Sequence, residues 1–375
     1  MKPYIASNLR DMNRKTVFDL IASVGEISRS EITQLTGISA PTVLKITNYL
    51  CDNGFIINAG EGQSALGRKP QMLKFNPNFA YSIGVEYEGD YLKMGIVNVN
   101  SEVIHKKTIH VENDFENVIT HVLIENAESL IKESGIPRNK IHGIGLGLPG
   151  AVDLDNDEIR LGPLVGVNTY PLQNITEKIK EALNISVYVC NDVNAAAIGE
   201  YITRNLKKED LVYISLGTGL GSGIILDGKL RFGKHFIAGE IGYLVYDDSC
   251  KTSAGSPGSL ESLINLHALI SRYKDFDDRV KNKSNITEII NYISPYMGKT
   301  ILNIISIVDV NQVVLGGIIV DMLGKELVMA VSDQFQKLSG LDVKIDLRKC
   351  DEPGIIGTSH LITSEYIKNI FLSHN

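Results

Sequence analysis

Two adjacent polar residues, Asn191 and Asp192, are the clearest candidates for chemistry in this sequence. They follow the apolar run ISVYVC and precede the helix-like stretch VNAAAIGEY. An amide beside a carboxylate can satisfy the donors and acceptors of neighbouring hydroxyl groups, and the carboxylate can also accept a proton. From these residues alone, it is equally open that Asp192 only caps the helix that follows.

A glycine-rich segment, ISLGTGLGSGIILDG, occupies residues 214–228. β-Branched residues flank the glycines, which predicts a hairpin whose backbone can closely approach a phosphate group. The residues that would form this phosphate loop are Gly217, Thr218, Gly219 and Gly221. Whether the hairpin holds a phosphate depends on the segment that faces it.

Strand-like and helix-like segments alternate from Tyr81 onward. Three strands are expected between Tyr81 and Thr108, and a helix from about Phe115 to Ser134. Further strands are predicted at ISVYVCND and NQVVLGGIIV. This order predicts an α/β body with two lobes around a cleft.

Four segments carry a resemblance to a known family: NDVNAAAIGE (191–200), SLGTGLGSGIILDGKL (215–230), AGEIG (238–242) and GSPGSLE (255–261). In this order they resemble the ROK (repressor, ORF, kinase) family of sugar kinases and sugar-responsive repressors. The resemblance covers about residues 10 to 370. It implies a two-lobed, actin-like ATPase fold of the sugar kinase/Hsp70-like type, preceded by a winged helix–turn–helix.

The resemblance also implies a sugar site. In the family's kinases, the residue matching Asp192 takes the proton from the phosphorylated hydroxyl, and both Asn191 and Asp192 hold sugar oxygens. Glu240 and Glu261 match the family's two sugar-contacting glutamates. Taken alone, each glutamate would be read as a solvated surface acid.

The segment Glu86-Tyr87-Glu88-Gly89-Asp90 departs from the family's kinases, which have an Asp-x-Gly-Gly-Thr-type turn here. We expect its three carboxylates to cluster and, together with the bulk of Tyr87, to repel a polyphosphate. No Lys or Arg occurs before Lys93, and phosphoryl transfer depends on positioned positive charge. We therefore expect no catalysis and interpret the glycine hairpin as a vestigial phosphate loop, with weak nucleotide binding left open.

A second departure concerns zinc. The family's His and three Cys ligands are replaced by Tyr243, Thr252, Ala254 and Ser259, and a lone Cys250 cannot form a structural zinc site. We therefore expect no metal and no cofactor, and Tyr243 is predicted to face the sugar or pack under it. The family's sugar-contacting Asn after a proline is also displaced, because here Pro163 is followed by Leu164 and the next Asn is Asn168.

The first part of the chain is predicted to be a winged helix–turn–helix. After a helix from Asp11 to Val24, Ser28 and Glu31 form a capping box, Gly37 permits a tight turn, and Ser39 caps a second helix. The apolar residues predicted to face the core are Val17, Leu20, Ile21, Val24, Ile32, Leu35, Val43, Ile46 and Leu50. The pair Phe55-Ile56 would begin the wing, and the alternative is an ordinary helical hairpin.

DNA contacts are predicted on the outward side of the second helix and in the GRKP segment, which follows a glycine-rich stretch interpreted as a wing tip or linker. Ser39, Thr42 and Lys45 would face base edges and phosphates in the major groove. Arg68 and Lys69, in the GRKP segment, resemble arms that enter an A·T-rich minor groove. A basic linker with no fixed partner is the alternative interpretation of that segment.

Composition and charge fit this organisation. The 375 residues carry a net charge of −7, yet nine Lys and Arg against six Asp and Glu give residues 1–78 a charge of +3. No apolar run of about 18 residues and no signal peptide are seen, and the four Cys are scattered, which favours a cytoplasmic protein. The predicted domains are 1–78, 79–190 with a C-terminal helix at 355–375, and 191–354, the last carrying sugar binding and dimerisation.

These observations predict a sugar-responsive regulator that binds double-stranded operator DNA and is released by a small sugar. A homodimer or dimer of dimers is expected, because palindromic half-sites require a two-fold axis. One alternative is an active sugar kinase fused to a DNA-binding domain. Another is a module that responds to a transport protein of a sugar uptake system. Xylose, glucose, N-acetylglucosamine and oligosaccharides all remain open as effectors.

Overall fold

The computed structural model describes residues 6–62, 69–111, 114–162, 167–246 and 258–371. Separate hydrophobic cores form in an N-terminal head and in each of two α/β lobes. None of the helices in these ranges is long and apolar enough to cross a membrane. The α/β architecture expected from the alternating segments is confirmed.

The head contains three helices and a small antiparallel sheet. Its elements are α1 (Ala6–Val24), β1 (Glu26–Ser28), α2 (Arg29–Thr36), α3 (Ala40–Asp52), β2 (Ile56–Glu61) and β3 (Gln71–Phe75). The strand order is β1-β3-β2, so β2 and β3 form the predicted wing. The predicted capping box is present, since Ser28 Oγ accepts from Glu31 N–H while the Glu31 carboxylate accepts from Ser28 N–H at 2.8 Å. Gly37 adopts the left-handed conformation, with a φ of 70°.

Three details of the head differ from the sequence prediction. Leu35 and Val24 are 64% and 52% exposed rather than buried. Helix α2 is only eight residues long and buries Ile32 alone, and Val24 is the last residue of α1, where the chain leaves the core. Ser39 occupies the N-cap of α3, but its side chain makes no capping bond and instead pairs with the Thr42 hydroxyl at 2.9 Å.

The first lobe is built on a five-stranded sheet of order β11-β7-β4-β5-β6. Its elements are β4 (Tyr81–Glu88), β5 (Tyr91–Asn98), β6 (Val103–His110), α4 (Phe115–Asn117), α5 (Leu123–Ser134), β7 (Ile141–Leu148), β8 (Ala151–Asp153), β9 (Glu158–Gly162), β10 (Val167–Pro171), α6 (Leu172–Leu183) and β11 (Ser186–Asn191). Residues 118–122 form a π-helical turn that joins α4 to α5. Strands β8, β9 and β10 form a separate antiparallel sheet that the sequence pattern did not predict.

The second lobe carries a sheet of order β14-β13-β12-β15-β16. Its elements are α7 (Asp192–Thr203), β12 (Leu211–Leu216), β13 (Leu220–Leu226), β14 (Lys229–Leu230), α8 (Glu261–Ile264), α9 (Leu266–Arg272), α10 (Phe276–Asn282), α11 (Ile286–Val308), β15 (Gln312–Gly316), α12 (Ile318–Leu338) and β16 (Lys344–Leu347). Strands β12 and β13 pair antiparallel from Leu211↔Ile225 to Leu216↔Leu220, which confirms the predicted glycine-rich hairpin.

Helix α13 (Pro353–Ile370) returns from the second lobe, crosses the first and reaches the head. Its backbone lies directly on β4, because a Cβ added to Gly84 would stand 2.0 Å from the carbonyl oxygen of Ile355. Just after its end, Phe371 is buried in the head core, with its ring centroid 5.0 Å from that of Phe18. One helix therefore contacts both the body and the head.

Candidate functional site

Strand β11 ends at Asn191, and α7 begins at Asp192. Asn191 is the helix cap, because its Oδ1 accepts from Asn194 N–H at 2.8 Å, and its Nδ2 donates to Gly150 O and Asp192 Oδ1, both at 3.0 Å. Asp192 Oδ1 also accepts from Val193 N–H at 2.8 Å. Asp192 Oδ2 has no hydrogen-bond partner within the described ranges, so one carboxylate oxygen is available to a ligand.

A cavity of about 220 Å³ opens at this strand-to-helix junction, between the two lobes. It brings together residues that are far apart in the sequence and that were predicted to bind a sugar. These residues are Asn191, Asp192, Glu240, Tyr243 and Glu261, together with Thr218, Gly219 and Gly221 of the hairpin. Gly217 is not among the lining residues that the structure describes.

Glu240 is positioned by the glycine before it. Gly239 has a φ of 95°, and an added Cβ would stand 1.9 Å from Ser222 O, so the chain can pass here only with glycine. Burial, with a smaller contribution from the nearby Glu261, raises the pKa of Glu240 to about 7. The carboxyl group therefore exists in both protonation states near neutral pH and can donate or accept a hydrogen bond.

Glu261 and Asp192 complete the acidic lining. Glu261 is the first residue of α8, and its Oε2 accepts from Leu220 N–H at 3.0 Å. Burial raises the pKa of Glu261 and raises that of Asp192 well above its usual range. These groups suit uncharged hydroxyls better than an anion, because hydroxyls both donate and accept hydrogen bonds.

A second cavity, of about 300 Å³, lies next to the first and shares lining residues with it that include Glu88, Asp192 and Thr218. As expected, Glu86, Glu88 and Asp90 all line it. Contrary to expectation, their charge is partly neutralised, because Lys93 Nζ lies 2.9 Å from Glu88 Oε2 and 3.5 Å from Glu86 Oε2. The sequence contains the signal for this pairing, since a hairpin turning at Gly89-Asp90 places Lys93 directly across from Glu86.

Tyr87 does not stand in the second cavity. Side chains alternate along β4, so Tyr87 points into the first lobe's core, where it is 4% exposed and stacks on Phe115 at 6.0 Å. The expectation that its bulk would obstruct a polyphosphate is wrong. The carboxylate of Glu88 takes that place instead, since its Oε1 lies 2.9 Å from where a Cβ on Gly217 would stand.

The hairpin's backbone donors are partly engaged within the protein. Gly217 N–H donates to Gly219 O at 2.9 Å, and Leu220 N–H donates to Glu261. Backbone N–H groups in such a turn are what would hold a phosphate. The turn therefore offers fewer free donors than its glycine pattern indicates.

The loop from Arg231 to Ala238 forms a further wall of the first cavity, which the sequence did not predict. Phe236 lines the cavity and has a φ of 57°. Arg160, on β9 of the first lobe, donates through Nη2 to His235 O at 2.7 Å and lies 3.3 Å from Asp153. A single side chain thus connects the two lobes beside the cavity.

Two residues stand at the positions where the resemblance places zinc ligands. Tyr243 lines the first cavity, and Ser259 is buried nearby. A phenol and an aliphatic hydroxyl are not the imidazole and thiolate ligands of a closed zinc site, so these residues do not fit the metal. Cys250, Thr252 and Ala254 lie outside the described residues, as does the side chain of Asn168.

The residues predicted to contact DNA lie on the head. Ser39 is exposed at the N-cap of α3, Lys45 is exposed on the helix, and Thr42 is half-buried between them. Lys69 is exposed just before β3. Arg68 lies outside the described residues.

The fold and the cleft define a class of two-lobed sugar-kinase-like proteins with an added head. Residues 82–364 match the ROK family, and this chain belongs to that family. A xylose repressor from Caldicellulosiruptor bescii is 32% identical over 292 residues, which cover 75% of this chain and 72% of that protein.

Two solved structures share the fold. A ROK family transcriptional regulator, a homologue of the E. coli Mlc protein, covers 97% of this chain and 98% of its own, with a TM-score of 0.74 and 20% identity. A ROK family glucokinase from Streptomyces griseus, in complex with glucose and AMPPNP, covers 75% of this chain and 99% of its own, with a TM-score of 0.63 and 20% identity. The match to the regulator includes the head as well as the body, whereas the match to the kinase covers about three quarters of this chain.

Proposed function

We propose that this protein is a sugar-responsive transcriptional repressor. Its head binds operator DNA, and its body binds a sugar in the first cavity without phosphorylating it. The observation that carries the proposal is that one chain joins a winged helix–turn–helix to a cavity lined by Asn191, Asp192, Glu240 and Glu261. The C. bescii relative, named a xylose repressor, supports the same function.

The absence of catalysis is part of the proposal. The kinase alternative keeps support from the shared fold of the S. griseus glucokinase and from Asp192. It is opposed by the second cavity, where Lys93 is bound to Glu86 and Glu88, and Arg348 is bound to both carboxylate oxygens of Asp321 at 2.7 and 2.9 Å. Phosphoryl transfer needs cations free to bind the nucleotide phosphates.

Regulation would follow from lobe closure on the sugar. A ligand shifts an equilibrium only through different affinities for two states, and a sugar held by Asn191 of β11 in the first lobe and by Glu240 in the second lobe prefers the closed state. In a cytoplasmic dimer, closure would change the spacing of the two heads and lower their affinity for palindromic half-sites.

Operator binding is tested by fluorescence anisotropy with DNA from upstream of the protein's own gene, against a scrambled duplex of equal length. We expect saturable binding that falls steeply with salt and is released by one member of a panel of D-xylose, D-glucose and N-acetyl-D-glucosamine. Absence of saturable binding would overturn the proposal. Lys45→Ala should weaken binding to all DNA sequences by a similar factor. It should also reduce the slope of log affinity against log salt concentration by about one, as expected for the loss of one phosphate contact.

The two alternatives have their own discriminating measurements. ADP release from ATP in the presence of the sugar panel, lost in Asp192→Ala, would establish the kinase. A thermal shift with the same sugars separates direct sensing from regulation by a transport protein, because a bound sugar raises the melting temperature by mass action.

A further inference from the structure

Phe236 has an unusual backbone conformation beside the first cavity. Its φ of 57° lies in the left-handed region, which bulky residues with a Cβ rarely adopt. The other non-glycine residues with positive φ in the described ranges are Ser, Asp, Asn or Lys. Such strain persists where the surroundings over-determine the conformation, and it concentrates at ligand sites.

The surroundings of Phe236 hold it in place from both lobes. Ala238 N–H donates to Phe232 O at 3.1 Å, which closes the loop on itself, and Arg160 of the first lobe holds the carbonyl of His235 at 2.7 Å. The Phe236 ring centroid lies 6.1 Å from that of Phe232 in a tilted arrangement. The half-buried Phe236 lines the first cavity and, together with Phe232, a smaller cavity of about 20 Å³ that also has Asn191 in its wall.

The ring gives the cavity an apolar side. Leu161 and Leu220 line the same space, while Asn191, Asp192 and the glutamates supply hydrogen-bonding groups. Ligand pockets commonly combine apolar and aromatic walls with a few placed polar groups. A sugar matches both parts, because its hydroxyls lie around the ring edge and its C–H bonds form apolar faces.

We propose that Phe236 determines which sugar enters the cavity, an inference that rests on the proposed function. The ring packs on the C–H face of one monosaccharide and occupies the space that an N-acetyl group or a second sugar ring would need. The volume of about 220 Å³ is below the roughly 300–1,000 Å³ of pockets for drug-sized ligands. On this proposal, the effector is an unsubstituted monosaccharide.

The chain contains no tryptophan, so Phe236→Trp introduces a single fluorescent indole at the cavity wall. The full-length variant is titrated with D-xylose, D-glucose, N-acetyl-D-glucosamine and cellobiose. Phe232→Trp is the matched control, because Phe232 lies in the same loop but does not line the first cavity among the residues described. We expect the indole emission of the Phe236→Trp variant to change with the sugar that wild type binds, and that of the Phe232→Trp variant to change little.

Calorimetry on wild type and Phe236→Gly then measures selectivity. Wild type should bind D-xylose or D-glucose at least about tenfold more tightly than the two larger sugars, and Phe236→Gly should reduce this ratio by about tenfold or more. An unchanged ratio, or Phe236→Trp emission that does not respond to a sugar that calorimetry shows this variant still binds, would overturn the inference and leave the proposed function standing. If wild type binds none of the four sugars, the sugar-sensing function itself fails.

Discussion

The two cavities share Glu88, Asp192, Val193, Ser215 and Thr218, but they differ in the cations that line them. The described residues that line the first cavity include carboxylates and amides but no Lys, Arg or His. Those that line the second include Lys93, Arg348 and His267. Lys93 and Arg348 are bound to carboxylates of the same chain.

If the proposed function is correct, this difference separates sugar binding in the first cavity from the lost phosphoryl transfer in the second. In the first cavity, burial raises the pKa values of Asp192, Glu240 and Glu261, so the acids meet neutral hydroxyls at little electrostatic cost. In the second cavity, burial alone would lower the pKa of Lys93. The carboxylates of Glu86 and Glu88 raise this pKa by more, so the ammonium group stays charged and paired with them. A fold shared with sugar kinases can thus keep a sugar-type cavity beside one whose cations are already paired.

The largest expected effect is on sugar affinity, from Asp192→Asn. The substitution replaces one oxygen of a buried carboxyl group, whose Oδ1 accepts hydrogen bonds from Val193 and Asn191, with an amide nitrogen that cannot accept. We expect the sugar bound by wild type to bind about 30-fold more weakly, or about 2 kcal/mol, by calorimetry. Asp90→Asn, the same change in the second cavity, should leave sugar affinity within about twofold of the wild-type value. Equal losses of affinity in both variants would contradict the assignment of sugar binding to the first cavity alone.

Lys93→Met should lower stability through the second cavity. Without the ammonium group, the buried Glu86 has no cation at 3.5 Å, and we expect a loss of about 1–3 kcal/mol at pH 8 in denaturant unfolding. Lys107→Met, whose ion pair with Glu133 is longer and more exposed, should leave the free energy of unfolding nearly unchanged.

The pH dependence of that loss has a definite sign. Burial, opposed by Lys93, raises the pKa of Glu86 to about 7 in the folded state, from an unfolded value near 4.5. Folding therefore takes up a proton between these values, so the contribution of Glu86 to stability is lost as pH rises through 7. Because the variant raises this pKa further, its deficit should grow from pH 5 to pH 8, and a deficit that is constant with pH would be inconsistent with the pairing.

Glu240→Gln tests the first cavity in the same way. The folded-state pKa of Glu240 is about 7 against an ordinary 4.5, so ionising it opposes folding above that range. The variant should gain about 1–3 kcal/mol relative to wild type between pH 5 and pH 8, while losing sugar affinity. Glu326→Gln, at an exposed position on α12, should show no such gain, and a gain in both would assign the effect to net charge.

The smallest expected effect is that of ATP. Magnesium-ATP at about 1 mM should move the melting temperature by less than about 1 °C, because the engaged cations leave little affinity for phosphates. A saturable shift would show that the protein still binds nucleotide. The paired cations would then explain at most a lack of phosphoryl transfer, and not a lack of nucleotide binding.

The sequence predicted elements whose signals are local. Ser28 with Glu31, Gly37, and the strand-to-helix junction at Asn191 each depend on residues a few positions apart, and the structure has all three. The sequence pattern did not predict the exposure of Leu35. Helix α2 is short and buries only Ile32, and that follows from how it packs on the head core rather than from its own residues.

The features that the sequence did not predict depend on distant partners. The contact of Arg160 with His235 joins residues of different lobes, and the burial of Phe371 against Phe18 joins opposite ends of the chain. No spacing rule links such pairs. Lys93 is the exception, because pairing across the Gly89-Asp90 turn would have placed it opposite Glu86.

Helix α13 has a mechanical consequence. Its 18 residues form a rod about 27 Å long, which begins where Gly354 touches Glu86 and leads to Phe371 against the aromatic rings of α1 and the wing. A tilt of about 5° at one end moves the other by about 2 Å. Tyr366, Ile367 and Ile370 of the same helix also pack on the head core, so a movement of the helix at Glu86 would be transmitted to the head by several side chains.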